Sequence, residues 1–315
     1  MNISIVILSY NDFSETTGKC LASLHADPAF GEWDVIVVDN ASDAATRVFL
    51  QDAQGEYPSV RFILNECNLG YAGGNNVGMR ICTGDVVVLL NSDTVVPIGM
   101  VARFGAHFKN NKKLGMVGPV TNAAGNEQAI FSSAESIEAI IEQGLSYANG
   151  GGADLLVTYR MDFHCVAISS EVIASVGLLD EDFGRGYYED FDYSLRVKQA
   201  GFDLRVAENV FVYHRGSASF SKLPRETREL LKRNKKRIIN KHGSEILFLN
   251  LRDGNLSILA QYAEMKKAGL TVPEARIQNR LEQAMSKQPR SWFKKWRYLN
   301  RVRKVAACFG LDQAL

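Results

Sequence analysis

The residues of this chain best suited to chemistry are polar groups that close apolar runs. Val86 to Leu90 is a run of five apolar residues that stops at Asn91-Ser92-Asp93. A strand buried on both faces that delivers an acid into a loop is how a parallel sheet presents a metal or phosphate site at its carboxyl edge. At such an edge Asp93 could let a hard cation, Mg²⁺ or Mn²⁺, bridge protein oxygen to a diphosphate. The same residue types also cap helices. Two further runs end alike: Ile3 to Leu8 closes on Ser9-Tyr10-Asn11, and Val35 to Val38 on Asp39-Asn40-Ala41-Ser42. Asp39 could accept hydrogen bonds from a nucleobase or a ribose, or it could simply turn the chain into the next helix. Several strand ends closing on polar residues predict one groove for a ligand that carries hydroxyls or phosphates.

Later in the chain, Tyr188-Glu189-Asp190-Phe191-Asp192 puts three acids within four positions at a helix start, which suits the macrodipole. Asp192 can pair with Arg196 one turn on. Glu189 and Asp190 are left as candidates for a general base that takes a proton from a hydroxyl. His214, in the stretch Tyr213 to Phe220, closes an extended segment and could ligate a metal or touch a phosphate; His164 has weaker context. The stretch Asn68 to Gly78, with Gly73 and Asn75 inside it, is glycine-rich and opens a helix. Its N–H groups could face an anion, or its glycines could serve close helix–sheet packing. It matches neither G-x-G-x-x-G nor a P-loop.

The elements that must position these groups alternate. Strand-like runs near 3–8, 34–38, 60–64, 85–90 and 115–119 are separated by helix-like segments near 14–25, 43–54, 72–82 and 97–111. That is the βαβ signature, and it predicts an α/β fold with a mostly parallel central sheet and helices on both faces. Residues 1–120 read as a nucleotide-binding half. Beyond them come a strand over 161–169, helices over 170–176 and 188–200, and extended structure over 206–213. From about 224 the chain is helix-rich and basic, with breaks expected near Gly243, Gly254, Gly269 to Pro273, and Pro289.

Composition is that of an ordinary soluble globular protein: 315 residues, 46% hydrophobic, 23% charged, net charge +1. The five cysteines are scattered without a C-x-x-C pair, so neither a disulfide framework nor a zinc knuckle is expected, and a reducing cytosol fits. Neither a signal peptide nor a membrane-spanning run is predicted.

Taken in order, Ser4 to Asn11, Val37 to Ser42, Asn68 to Gly78, Leu89 to Asp93 and Tyr188 to Asp192 resemble the inverting family-2 glycosyltransferases of the A-type, Rossmann-like fold, in particular bacterial rhamnosyltransferase-like members. The resemblance implies a catalytic domain over 1–223, with a nucleotide-sugar half (1–120) and an acceptor half (121–223), followed by a helical extension over 224–315. It implies that Asp39 contacts the base, and that Ser9, Tyr10, Asn11, Asn68, Gly73, Asn75, Asn91 and Ser92 lie along the donor. It further implies that Asp93 and His214 hold Mg²⁺ or Mn²⁺, and that Asp190 is the base, with Glu189 orienting it or binding acceptor. Asn91 stands where the family's D-x-D motif has its first acid. The donor implied is dTDP-rhamnose or a UDP-sugar, and the acceptor a glycan or lipid-linked glycan of the cell envelope. A nucleotidyltransferase on a similar sheet, or a sugar-binding scaffold without turnover, are the competing readings.

From Lys287 to Lys304 there are eight Lys or Arg residues and no acid, and Trp292, Trp296, Leu299 and Val302 are expected along one helical stripe. A basic helix with tryptophan predicts docking on an anionic membrane surface, here the inner face of the cytoplasmic membrane, or packing against protein. Nucleic acid is not an expected partner.

Overall fold

The computed structural model describes residues 1–109, 111–152, 154–216, 225–244 and 250–311. The expected boundary at 223/224, and Ser217 to Phe220 of the segment after His214, lie outside the described residues. The first part alternates as expected: β1 (Ile3–Ser9), α1 (Thr17–His25), β2 (Asp34–Asp39), α2 (Ala44–Glu56), β3 (Arg61–Leu64), α3 (Gly70–Met79) and β4 (Val86–Asn91). Next come β5 (Thr94–Val95), α4 (Met100–Phe108), β6 (Leu114–Val120), α5 (Ile137–Ala148), β7 (Leu155–Val157), β8 (Cys165–Ser169), α6 (Ser170–Val176), α7 (Glu189–Gln199), β9 (Asp203–Phe211) and β10 (Tyr213–His214). The extension holds α8 (Arg225–His242), α9 (Leu251–Lys267), α10 (Glu274–Ser286) and α11 (Trp292–Ala307).

Among the described residues eight strands form one mainly parallel sheet in the order β3-β2-β1-β4-β8-β6-β9-β7. Parallel pairing joins β3, β2, β1 and β4, and again β6 with β9. Strand β6 is not the neighbour of β4, because β8 runs antiparallel between them. Alternate residues of the inner strands supply two cores. Ile5, Val37 and Val88 pack with Leu21, Leu50 and Phe104 on one face, and Val6, Ile36 and Leu89 with Ala72, Met79 and Val197 on the other. Helices cover both faces, which is why these strands read as unbroken apolar runs. Side chains cap the helix starts: Asp43 accepts the Thr46 N–H at 2.8 Å at the head of α2, and Ser169 accepts the Val172 N–H at 3.2 Å at the head of α6.

Helices α9, α10 and α11 build a small core of their own from Leu259, Ile277, Leu281, Tyr298 and Val302, joined by Leu156 of β7. Two expectations for this region are corrected. Gly254 does not break a helix but lies inside α9, where a Cβ would overlap the Glu127 carboxylate. The glycine serves close approach. Nor do Trp292, Trp296 and Val302 share a face: Val302 is buried and both tryptophans are exposed. The packed stripe of α11 is Tyr298, Val302 and Ala306, at the four-residue spacing of neighbouring turns.

The extension is joined to the sheet by a buried ion pair. Arg280 of α10 donates to Glu208 of β9 at 2.5 Å, both side chains being fully buried. It also donates to the carbonyls of Glu127 and Ala129 at 2.6 and 2.9 Å. The hydroxyls of Tyr147 and Tyr262 donate to the other Glu208 oxygen. Burial alone would raise the Glu208 carboxyl, but Arg280 and the tyrosines outweigh it and hold it below its ordinary value. Removing one partner of such a pair strands the other charge, at a cost of about 3–5 kcal/mol. Arg280→Met should therefore lower the unfolding free energy by that amount and shift the denaturant midpoint down accordingly; an unchanged midpoint would mean that the extension is held by its apolar contacts instead.

Candidate active site

A cavity of about 850 Å³ opens at the carboxyl end of β4, walled by Asn91, Asp93, the 122–125 loop, Asp162 to His164, Tyr187 to Asp190, and His214. The direction of β8 brings these segments together. Because it runs against β4, its amino end meets the carboxyl end of β4: Leu90 is paired with Cys165, and the Asn91 N–H donates to the His164 carbonyl at 2.8 Å. The residues leading into β8 therefore face the same space as those leaving β4.

On one wall, β10 pairs antiparallel with β5 and sets His214 opposite Thr94. His214 Nε2 lies 3.4 Å from Asp93 Oδ1, and its Nδ1 lies 2.7 Å from the Ala123 carbonyl. A carbonyl can only accept, so Nδ1 carries a proton and Nε2 is the atom turned to Asp93. Burial works against the charged imidazole, yet the Asp93 carboxylate and the Ala123 carbonyl raise His214 above its ordinary value. Asp93 is lowered in turn, His214 outweighing burial. His164 stacks on His214 with ring centroids 5.1 Å apart. Burial lowers His164, whose Nδ1 lies 3.4 Å from Asp162 and whose Nε2 has no hydrogen-bond partner among the described residues.

Among the described residues no group of three or more His, Cys, Asp or Glu side chains is arranged to cage a cation. The Asp93–His214 pair suits a different kind of site. Its 3.4 Å separation is near the spacing of about 3 Å between adjacent ligands on octahedral Mg²⁺ or Mn²⁺, ions that keep water and take further ligands from phosphate. The backing of Nδ1 by a carbonyl is also the usual way to orient a ligating histidine. The residues present fit such a cation.

On the opposite wall, Tyr187 and Tyr188 both adopt left-handed backbone, φ 70° and 78°, immediately before Glu189. Consecutive non-glycine residues there carry strain and persist only where surroundings over-determine them. Asn234 of α8 supplies part of that constraint, its buried amide donating to the carbonyls of Phe183, Gly186 and Tyr187 at 2.8, 3.0 and 3.0 Å. Gly70 supplies more: a Cβ at this left-handed position would overlap the Gly184 carbonyl, so glycine lets α3 close against the loop. The loop presents Asp190, half-buried on the cavity wall, and the buried Glu189, whose Oε2 lacks a hydrogen-bond partner among the described residues. Burial raises both carboxyls; the Asp190 charge adds to the effect at Glu189, and Asp162 at Asp190, where Arg160 opposes it without prevailing. The helix N-terminus favours ionisation but is the weaker influence. Asp192 points elsewhere and is held by Arg196, Lys241 and His242.

Other expected donor residues lie outside these walls. Ser9 and Asp39 are register partners at the ends of β1 and β2. The Asp39 carboxylate accepts the Ser42 N–H and lies 3.5 Å from Arg47, while the Asn11 side chain accepts the Asp43 N–H at 3.0 Å. Tyr10 is exposed beside this cluster. Ser92 sits between Asn91 and Asp93 without forming part of the wall. Asn68 caps Gly70 and bonds Asn40; Asn75 donates back to Tyr71 O within α3; and Gly73 packs on Leu69. The N–H groups of Leu69 and Gly70 are taken by Asn40 and Asn68 side chains. Asp162, Arg160, Tyr71 and Asn234 were not singled out from sequence. A signal existed for Asp162: polar 160, 162 and 164 alternate with apolar 161, 163 and 165, the period-two pattern of a one-sided polar set, although in the structure residues 163 and 164 turn and β8 starts only at Cys165.

A buried glutamate with a raised value stabilises the fold below its ordinary value, 4.5, and loses that contribution as pH rises through the raised one. Glu189→Gln should therefore raise the melting temperature at alkaline pH and flatten its decline with pH. Parallel melting curves for variant and wild type would show that Glu189 is not held protonated.

Comparison with known proteins bears on what this cavity serves. Residues 4–173 match the family model for glycosyl transferase family 2. An uncharacterised glycosyltransferase of Bacillus subtilis, YfnE, is 22% identical over 68% of this chain and 64% of its own length. The low-salt glycan biosynthesis hexosyltransferase Agl10 of Haloferax volcanii is 25% identical over 68% of this chain and 67% of its own. Among solved structures, GalNAc-T7 with UDP, GalNAc and Mn²⁺ superposes with a TM-score of 0.59 at 16% identity, over 76% of this chain and 48% of that one. The Pyrobaculum calidifontis mannosyltransferase PcManGT, in complex with GDP-Man and Mn²⁺, gives 0.50 at 13% identity, over 99% of this chain and 75% of that one. These likenesses establish a glycosyltransferase A-type fold, and with the family model spanning more than half of the 315 residues, the chain belongs to glycosyl transferase family 2.

Proposed function

We propose that this protein transfers a sugar from a nucleotide-sugar to a hydroxyl of a glycan or lipid-linked acceptor, with inversion at the anomeric carbon. The observation that carries the reading is a single cavity with the Glu189 and Asp190 carboxyls on one wall and Asp93–His214 on the other. In this reading Asp190, as carboxylate, accepts the proton of the acceptor hydroxyl. The hydroxyl oxygen bonds to the anomeric carbon from the face opposite the nucleotide, and the carbon–phosphate oxygen bond breaks with its electron pair going to the diphosphate. One base on one face parallels inverting hydrolysis, with an acceptor hydroxyl in place of water. Glu189 beside Asp190 keeps the local charge low until substrate arrives, and Arg160 steadies the ionised base. Asp93 and His214 would hold Mg²⁺ or Mn²⁺, which neutralises charge on the leaving diphosphate; Mn²⁺ in both solved relatives supports this.

The donor lies with residues 1–120, Asp39 and its neighbours reaching the nucleotide, and the acceptor with 121–223. dTDP-rhamnose or a UDP-sugar is the donor, and assembly of envelope polysaccharide or glycoconjugate is the role, on the strength of the motif resemblance.

Asp190→Asn should lower kcat about 10²–10⁴-fold, the range of a general base, while nucleotide-sugar binding by calorimetry stays near wild type. Because Asp190 is raised, the acid limb of kcat/KM should lie above the ordinary aspartate range, with rate lost as pH falls through the raised value. Normal turnover by the variant would remove Asp190 from the mechanism. For Asp93→Ala, thermal stabilisation by nucleotide with Mn²⁺ should shrink to that with nucleotide alone; full retention would place the cation elsewhere.

A further inference from the structure

Helix α11 is divided along its length. Tyr298, Val302 and Ala306 are buried in the extension's core, and the Tyr298 hydroxyl donates to the Ala284 carbonyl at 3.2 Å. Those contacts anchor its later turns. Its beginning is left outside: Trp292 is 78% exposed, Phe293 57% and Trp296 53%, and Trp292 is the most exposed large apolar side chain among the described residues. An isolated exposed apolar residue needs no explanation, but three aromatics within five positions do. They are interleaved with Arg290, Lys294, Lys295 and Arg297, and no acid occurs between Lys287 and Lys304. The Arg297 guanidinium lies 5.8 Å from the centre of the Phe293 ring, so charge and ring already share one surface.

Two features say what covers this surface. Aromatic rings flanked by cations match the interface of an anionic bilayer, where rings settle at headgroup depth and Lys or Arg meet phosphate. A second copy of the chain fits poorly, because a two-fold contact would bring the same cations face to face. The patch is also near the cavity. Gln283 and Lys287 at the end of α10 line the cavity wall, and Trp292 follows Lys287 by five residues, a reach of at most about 18 Å.

We propose that the exposed start of α11 docks this protein on an anionic membrane surface, so that the neighbouring cavity receives acceptors carried on a lipid. The docking stands independently; the identity of the acceptor rests on the glycosyl-transfer reading above. In this arrangement the buried stripe fixes the helix to the catalytic body, and Lys287 marks the side of the cavity turned toward the bilayer.

The test is co-sedimentation of the full chain with vesicles of phosphatidylcholine, alone or mixed with phosphatidylglycerol. It compares wild type with Trp292→Ser/Phe293→Ser/Trp296→Ser and with Lys294→Gln/Lys295→Gln. All five side chains lie off the buried stripe, and melting temperature checks that both variants fold. Wild type should bind the anionic vesicles at least tenfold more tightly than the neutral ones. The aromatic variant should lose at least tenfold, and the lysine variant should lose affinity and salt dependence together. Failure of wild type to bind anionic vesicles, or equal binding by the aromatic variant, would overturn docking. So would sedimentation velocity showing a wild-type dimer that the aromatic variant dissolves, which assigns the patch to a second copy. Vesicle binding is scored without turnover, so it remains readable if the glycosyl-transfer reading fails. Where transfer is measured, the aromatic variant should keep its rate on a water-soluble acceptor and lose at least tenfold on a vesicle-anchored one; equal losses on both would overturn the acceptor assignment.

Discussion

Strand β8 enters the sheet antiparallel between β4 and β6, and one backbone hydrogen bond, from Asn91 N–H to His164 O at 2.8 Å, joins the carboxyl end of β4 to the segment that leads into β8. In a wholly parallel sheet the polar residues before each strand would collect at the opposite edge from those after it. Reversing one strand puts Asp162 and His164 beside Asn91 and Asp93. The stacking of His164 on His214, and with it the orientation of His214 toward Asp93, follows from that reversal.

The acidic wall depends on a different device. Tyr187 and Tyr188 occupy left-handed backbone, at a cost on the order of 1–3 kcal/mol each. Three bonds from Asn234, and the close approach that Gly70 permits, hold the loop there. Asn234 belongs to α8, and Arg280 of α10 grips the Glu127 and Ala129 carbonyls beside the loop that supplies Ala123 O to His214. The extension thus braces both walls of the cavity, and Gln283 and Lys287 lend it side chains directly. Within α11 the cations stay at the surface with Trp292, Phe293 and Trp296 while a narrow stripe does the packing.

Much of the architecture was legible because it rests on local periodicity. Apolar runs marked β1, β2 and β4, and Gly243 and Pro289 marked breaks between helices. Gly254 misled because glycine has two uses, ending a helix or admitting a neighbour, and only the Glu127 contact distinguishes them. The tryptophan stripe misled because several stripes can be drawn on one amphipathic helix, and the face that packs is chosen by the partner, here Leu259, Ile277 and Leu281.

By itself, the sequence determined which residues could carry chemistry and which elements deliver them. Asp93 follows an apolar strand, Glu189 and Asp190 open a helix, and His214 closes an extended segment. What only the tertiary structure decided is that these groups share a cavity while Ser9, Asn11 and Asp39 form a separate hydrogen-bonded cluster at the ends of β1 and β2. The tertiary structure likewise decided that burial raises one carboxyl pair while a histidine lowers Asp93. The reason is physical: strand order, strand direction and desolvation arise from contacts between segments far apart in the chain, and local residue patterns do not encode them.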